Sequence, residues 1–335
     1  MKQRILYVLL LLMCLVQASC VKEDILSEQP SEQPFAQKEL LVKFSPEVAD
    51  MIADAEPTRS GKVTRSGAPS VDVVMELIGA YDIERVFPYD AHNEEQTRKS
   101  GLHQWYVVRF GGEYTAEQVA KQFEVLGEVQ KIDFNRTIKR AYNGVATPLS
   151  QQKMERIARS STRSSDEDPL LGQQWHLINN GDMFLKDDCI KSVKDADVQV
   201  EEAWKKTTGN SQIIVAVLDE GVYYNHPDLK ANMWVNENEK AWTSKDDAAD
   251  NDGNGYSNDY NGYNFVDQTG KINWARTGDT GHGTHVAGVI AAVNNNGVGI
   301  SSIAGGNNGV GGVKIMSCQV FSGQQGSTAI QIVRA

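Results

Sequence analysis

Ile213-Ile-Val-Ala-Val-Leu-Asp219-Glu-Gly221 and Gly281-His282-Gly-Thr-His285-Val-Ala-Gly288 are the stretches from which the fold is read. Six consecutive apolar residues, Ile213 to Leu218, fit a strand buried on both faces of a parallel sheet. In open α/β sheets ligands gather beyond the carboxyl ends of the strands, and Asp219 stands there. A carboxylate in that place is costly unless a donor meets it. An imidazole N–H would serve; a turn cap is the plainer alternative for Asp219 taken alone. His282 lies in a run without bulk, so its ring can face a cleft while backbone approaches closely. Val286, Ala287, Val289, Ile290 and Val293, with Gly288 among them, continue the run as a helix packed tightly on other backbone. For His282 alone, a core histidine is the bland reading. A metal pair with His285 is a further one, but the His-Glu-x-x-His pattern of zinc proteases is absent and no third ligand is evident.

A buried-strand aspartate followed 63 residues later by His-Gly-Thr-His-Val-Ala-Gly resembles the aspartate and histidine blocks of the subtilisin-like serine proteases, the subtilases. The order Asp before His is that of subtilisin and not of chymotrypsin. His226-Pro-Asp228-Leu is similar to the family's continuation of the first block, and Lys314 to Phe321 to the strand that lines its substrate cleft. The resemblance covers Asp168 to Ala335 and implies an endopeptidase with Asp219 and His282 as two members of an Asp/His/Ser triad. It implies that Phe321 walls a pocket for an apolar side chain. Gly326 and Ser327 would present backbone to an extended peptide substrate, adding it as a strand. A plain core strand is the alternative for Lys314 to Phe321. By the same resemblance Asp168, Asp228 and the loop Asn294-Asn-Asn-Gly297 match calcium-binding positions, with Asn295 as the side-chain candidate.

The family's serine block, of Gly-Thr-Ser-Met-Ala type, does not occur in the chain. The serines after His282 are Ser301, Ser302, Ser317, Ser322 and Ser327, none in a Gly-x-Ser-x-Gly elbow. The chain is therefore expected to be an amino-terminal fragment of a longer protease, inactive as it stands, with an incomplete subtilisin-like parallel-sheet α/β domain over 168–335. The alternative is a non-catalytic pseudoprotease or binding lipoprotein that inhibits or escorts other proteases.

A second calcium candidate follows from chemistry. Asp250-Asn-Asp252-Gly-Asn254-Gly255-Tyr256 has oxygen side chains at positions 1, 3 and 5, glycine at 6, and the Tyr256 carbonyl at 7, as in an EF-hand-like loop. Position 12 is Asn261 and not a bidentate glutamate, so Asp259 is expected to close the shell; a polar, turn-rich loop is the alternative.

Upstream the pattern alternates. Glu39 to Phe44, Ile83 to Phe87, Gln104 to Phe110 and Val129 to Phe134 read as strands. Val71 to Ile78 reads as a helix, and Thr115 with Gln118 as a capping box opening another. The order βαββαβ is that of a ferredoxin-like α+β unit over 35–142. Its place before subtilase blocks makes it similar to the family's propeptide, which assists folding and inhibits the protease from within the same chain. Glu56 to Pro69 and Asp90 to Ser100 are expected to be loops. From 143 to 167 the chain is rich in Ser, Arg, Gln and acids and reads as a linker, or as the site of proenzyme cleavage.

Residues 1–20 form a leader: Lys2 and Arg4, an apolar run from Ile5 to Val16, then Ala18-Ser19-Cys20. This resembles a bacterial lipoprotein signal in which Cys20 is lipidated, giving an outer-membrane or surface lipoprotein. Gln17 departs from the usual lipobox, which leaves cleavage after Ala18 and plain secretion as the alternative. Residues 21–34 form a polar linker. A net charge of −11 argues against nucleic acid or anionic membrane as partner and fits a chain that binds cations, so membrane contact is expected only through the lipid. A monomer is expected. Cys189 and Cys318 are either a disulfide or two buried thiols.

Overall fold

The computed structural model describes residues 35–55, 63–142, 144, 168–182, 184–185, 190–243 and 249–335. The leader with Cys20, the linker to residue 34, nearly all of 143–167, and Cys189 lie outside the described residues.

In β1 (Phe35–Phe44) Leu40, Val42 and Phe44 are fully buried and alternate with less buried neighbours, the period-2 pattern of a half-buried strand. Ser45 then caps α1 (Pro46–Ala53), its hydroxyl accepting from Val48 N, with Pro46 at the first turn where no N–H is needed. After α2 (Pro69–Leu77) come β2 (Ala80–Arg85), the short α3 (Glu94–Lys99) and β3 (Trp105–Phe110). Thr115 and Gln118 form a reciprocal capping box at the start of α4 (Ala116–Glu124), and β4 (Val129–Ile138) closes the unit. The strands lie in the order β4-β1-β3-β2 with every neighbour antiparallel. Leu40, Phe44, Tyr106 and Phe110 from the sheet meet Val71, Met75, Val119 and Phe123 from the helices in one core.

Two elements differ from the sequence reading. Residues 90–100, expected to be a loop, contain α3. That helix buries no residue, so it leaves no apolar period; Glu94 and Glu95 in its first turn and Arg98 and Lys99 in its last complement its dipole instead. Helix α1 was not anticipated, because an eight-residue helix is too short to display a clear repeat.

The second half holds the two-stranded pair β5 (Phe184–Leu185) and β6 (Ile190–Lys191), the short α5 (Val200–Trp204), then β7 (Ile214–Asp219), β8 (Gly262–Asn264), α6 (His282–Ala291), β9 (Lys314–Gln319), β10 (Ser327–Thr328) and α7 (Ala329–Arg334). Strands β7, β9 and β8 form a parallel sheet in that order, with Asp219 opposite Gln319. Val217, Ile315, Ala287 and Ala291 share a core, so α6 covers one face of this sheet. Burial of β7 on both faces does not hold. Val217 is buried, whereas Ile214 and Leu218 are 48% and 42% exposed, because in an edge strand with one covered face alternate side chains turn to solvent.

The two halves join through backbone. β10 pairs antiparallel with β4, Ser327 opposite Ile138 and Thr328 opposite Thr137. Helix α7 follows, with Ile330 packed on Val86 and Val107 and Arg334 donating to the carbonyls of Arg85 and Val86 at 2.9 Å each.

Candidate active site

β7 ends on Asp219 and α6 starts on His282, and the two side chains meet: His282 Nδ1 lies 2.6 Å from Asp219 Oδ2. The other oxygen, Oδ1, accepts from the Glu220 amide at 2.6 Å. Burial raises the Asp219 carboxyl above its usual range, opposed by its hydrogen bond to His282 and by the charges of His282 and Arg140. The glycines beside His282 have separate reasons. Gly281 has φ +81°, a left-handed conformation that glycine adopts without strain. At Gly283 a Cβ would overlap the Glu220 carbonyl oxygen and lie 3.4 Å from Asp219 Cβ, so the first turn of α6 rests directly on the end of β7. His282 keeps 40% of its side chain exposed against 15% for Asp219, so the imidazole faces an open cleft while the carboxylate sits behind it. His285 is exposed on the same helix.

Glu220 was missed by the sequence reading. It is 1% exposed, and its Oε2 accepts from Thr280 N at 2.8 Å, Thr280 Oγ1 at 2.9 Å, Gly281 N at 3.0 Å and His282 N at 3.3 Å. These bonds satisfy amides that the start of α6 leaves unpaired and hold the turn that delivers His282. The available signal was a second acid directly after the strand-end aspartate.

The chain after β4 runs through this cleft. At Gly326 a Cβ would lie 2.6 Å from the Ile138 carbonyl oxygen, so only glycine lets the backbones approach in this way. Ser327 continues the contact as the first residue of β10 and is fully buried. Arg140 forms an ion pair with Glu220, and the Tyr142 ring lies 5.4 Å from the His282 ring. Phe321 packs with Phe265, Cys318 and Val320, and its amide bonds to the Asp219 carbonyl at 3.2 Å. The Cys318 thiol is free and buried, and burial raises it to about 11.

Among the described residues no hydrogen bond joins a serine hydroxyl to His282. Ser301 Oγ donates to Asp168, Ser302 Oγ to the Ala292 carbonyl, and Ser317 Oγ accepts from Val222 N.

Asp168 and Asp228, 1% and 2% exposed, are brought together by the loop after α6. Asp168 accepts from the amides of Asn295 and Asn296, and Asp228 from Ile300 N and Asn296 Nδ2. Asn295 Nδ2 donates to Asn307 Oδ1, and the Asn296 side chain donates through Nδ2 to Asp228 while its Oδ1 accepts from Val298 N. Burial pushes Asp228 up to about 6, with the negative charge of Asp168 adding to the rise.

In the second acidic loop, carboxylate oxygens of Glu239, Asp252 and Asp259 lie within 4.8 Å of one another. Glu239 was not anticipated; it comes from outside the loop. Asp250 is instead spent on the loop's own amides, accepting from Gly253, Asn254 and Gly255. Asn254 Oδ1 accepts from Tyr256 N while its Nδ2 donates to Asp252 and Asp259; the Tyr256 hydroxyl donates to the Arg334 carbonyl.

Residues 210–335 match the family model described as the Subtilase family, Peptidase_S8. The chain is similar to Subtilisin-like protease 1 of Plasmodium berghei (strain Anka), 38% identical over 107 residues, which cover 31% of this chain and 17% of that protein. It is similar to Furin-1 of Xenopus laevis, 30% identical over 172 residues, covering 51% of this chain and 17% of that protein. Among solved structures, fervidolysin from Fervidobacterium pennivorans aligns with 86% of this chain and 31% of its own, at 18% identity and a TM-score of 0.43. The chain spans about a fifth or less of the length of these curated relatives. Over residues 210–335 the chain is thus similar to the subtilase family.

Proposed function

We propose that this chain carries the acid and base of a subtilisin-like serine endopeptidase, with residues 35–142 as a ferredoxin-like propeptide that occupies the cleft. The observation that carries the reading is the 2.6 Å contact between His282 Nδ1 and Asp219 Oδ2 at the end of a parallel strand, with a glycine-lined peptide strand beside it. Asp219 holds the proton on Nδ1 and leaves Nε2 to accept the proton of a nucleophilic serine. As the serine attacks a peptide carbonyl, the imidazolium that forms is stabilised by Asp219; it then protonates the leaving amine. The substrate is an extended protein segment added as a strand along Gly326 and Ser327, as the chain's own residues 137–138 are added.

Turnover requires a serine that the described residues do not bring to His282. The test is labelling of the 335-residue chain with an active-site serine probe, together with casein cleavage: neither is expected, and covalent labelling of any of its serines overturns this assignment. A non-catalytic, protease-binding role is the second reading, favoured by the contacts of residues 140 and 142, which follow the amino-terminal unit, with Glu220 and His282. It predicts stable binding of a partner protease by the intact chain.

Calcium is the proposed structural ion, held by Asp168 and Asp228 and by Glu239, Asp252 and Asp259. The donors are hard oxygens, and in each group burial and neighbouring negative charge raise a carboxyl, Asp228 in one and Asp259 in the other, as expected where a cation would restore the charged form. Export with a lipid on Cys20 is proposed from the leader. Cys20→Ser is expected to move the protein from membrane to soluble fractions, and unchanged fractionation counts against the anchor. Among the described residues no helix is long and apolar enough to cross a membrane.

A further inference from the structure

We infer that Asp279 is a positioning residue of the cleft: its carboxylate fastens the loop leading into β10 to the turn that delivers His282, and so fixes where a bound peptide strand lies relative to the imidazole. The inference rests on the reading of this cleft as a peptide site.

The two walls of the cleft come from separate parts of the sequence. One is β10 with Gly326 before it, which meets Ile138; the other is the turn that ends on His282. Asp279 joins them. Its Oδ1 accepts from Gly323 N at 2.5 Å, on the loop before β10, and its Oδ2 from Arg276 N at 2.6 Å, on its own wall. Its amide donates back to the Arg276 carbonyl at 2.8 Å, so the turn that carries the carboxylate is closed before it reaches across. Amides donated to a carboxylate are the stronger class of hydrogen bond, and here both oxygens are used.

The bond to Gly323 closes a circuit. Val320 and Phe321 donate to the Asp219 carbonyl at 2.9 and 3.2 Å, Gly323 follows and donates to Asp279, and the chain from Asp279 leads to His282, whose Nδ1 returns to Asp219. Such a ring leaves no hinge between β10 and the imidazole. The backbones also touch on either side of the carboxylate. At Gly278 a Cβ would lie 3.0 Å from Gln324 Cγ and 3.1 Å from Gln324 N, and at Gly323 it would lie 2.8 Å from the Thr277 carbonyl oxygen. Both glycines have positive φ, +94° and +59°. Asp267 provides the contrast: its carboxylate accepts from Asn264 and Arg276, so it braces one wall without reaching the other. A misplacement of about 1 Å between a bound substrate and the groups that act on it costs on the order of a hundredfold in rate, so a contact that fixes this spacing acts on the reaction without touching the substrate.

The test uses the full chain and reads amide hydrogen exchange at 137–138 and 326–328 against 315–319 of β9. Asp279→Ala is expected to speed exchange at 137–138 and 326–328 about tenfold or more, as for loss of a charge-assisted bond, and to leave 315–319 unchanged. Asp279→Asn keeps one acceptor; it should give a smaller rise of the same pattern and serves as the test should the alanine variant not fold. Asp267→Asn, which removes the ion pair on one wall, should leave both strands as they are. Position is read separately. The carbon-bound ring protons of His282 feel the Tyr142 ring 5.4 Å away, and they should shift in the Asp279 variants while the Nδ1 proton bonded to Asp219 keeps its resonance. A rise in exchange spread evenly into β9, or strands and ring protons that match the unsubstituted chain, overturns the inference and leaves Asp279 as a turn cap beside an intact peptide cleft. If 137–138 exchanges freely in the unsubstituted chain, the peptide-cleft reading falls and the inference falls with it.

Discussion

The amide of Ile330 donates to Asn135 Oδ1 at 3.1 Å across 195 residues of sequence, tying the first turn of α7 to the last strand of the amino-terminal unit. Both groups are buried, and the Ile330 side chain fills the space against Val86 and Val107. Ile330→Ala is therefore expected to destabilise the chain by about 2–4 kcal/mol, read as a lower urea midpoint. An unchanged midpoint would show that this junction contributes nothing to folding.

Asp219→Asn should leave the backbone intact, since Oδ1 meets only the amide of the next residue. It replaces an acceptor that fixes the Nδ1 proton of His282. The expected result is loss of the far-downfield imidazole proton resonance with unchanged circular dichroism. In a form of the protein that turns over peptide, the rate should fall by roughly ten-thousandfold. Persistence of that resonance would place the proton's partner elsewhere.

Asp228 makes stability depend on pH in a defined direction. Its carboxyl is raised from 3.8 to about 6, so without calcium the folded state holds a proton that the unfolded chain has released. Its contribution is present in full below about pH 4 and is lost as pH rises through about 6, a change of about 3 kcal/mol at 1.36 kcal/mol per unit. Saturating calcium selects the ionised form and should abolish this loss. Urea unfolding at pH 4 and pH 7, with EDTA and with calcium, measures it; equal slopes in both media would count against calcium at Asp228.

Glu239 and Asp250 separate the observed acidic group from the loop pattern. If Glu239, Asp252 and Asp259 hold calcium, Glu239→Gln should reduce the calcium-induced rise in melting temperature. Asp250→Asn should lower the melting temperature with and without calcium alike, because Asp250 is bound to amides of its own loop. The reverse pattern would restore Asp250 as the ligand.

Much of the architecture was legible because it is written in periods: the two-residue alternation of β1, the capping box at Thr115, and the apolar run that becomes β7. Asp219 and His282 were legible because a strand end and a glycine-framed helix start are local features. What stayed hidden depends on contacts between distant residues. Glu220 reads as one more acid until Thr280 and Arg140 fold onto it. That the Asn296 side chain and not that of Asn295 donates to Asp228 is a one-residue difference in a loop, which has no periodic signature. Helix α3, held by charge pattern and not by an apolar face, was invisible to a search for buried periods.

The strand formed by residues 137 and 138 against β10 also sets how the cleft responds to dilution. While residue 142 remains joined to residue 168, the segment is presented at an effective concentration that does not depend on the protein concentration. A peptide arriving from solution must compete with a neighbour that cannot diffuse away. One cut between those residues turns the contest into an ordinary bimolecular one, in which spreading the same molecules through a larger volume is enough to empty the cleft.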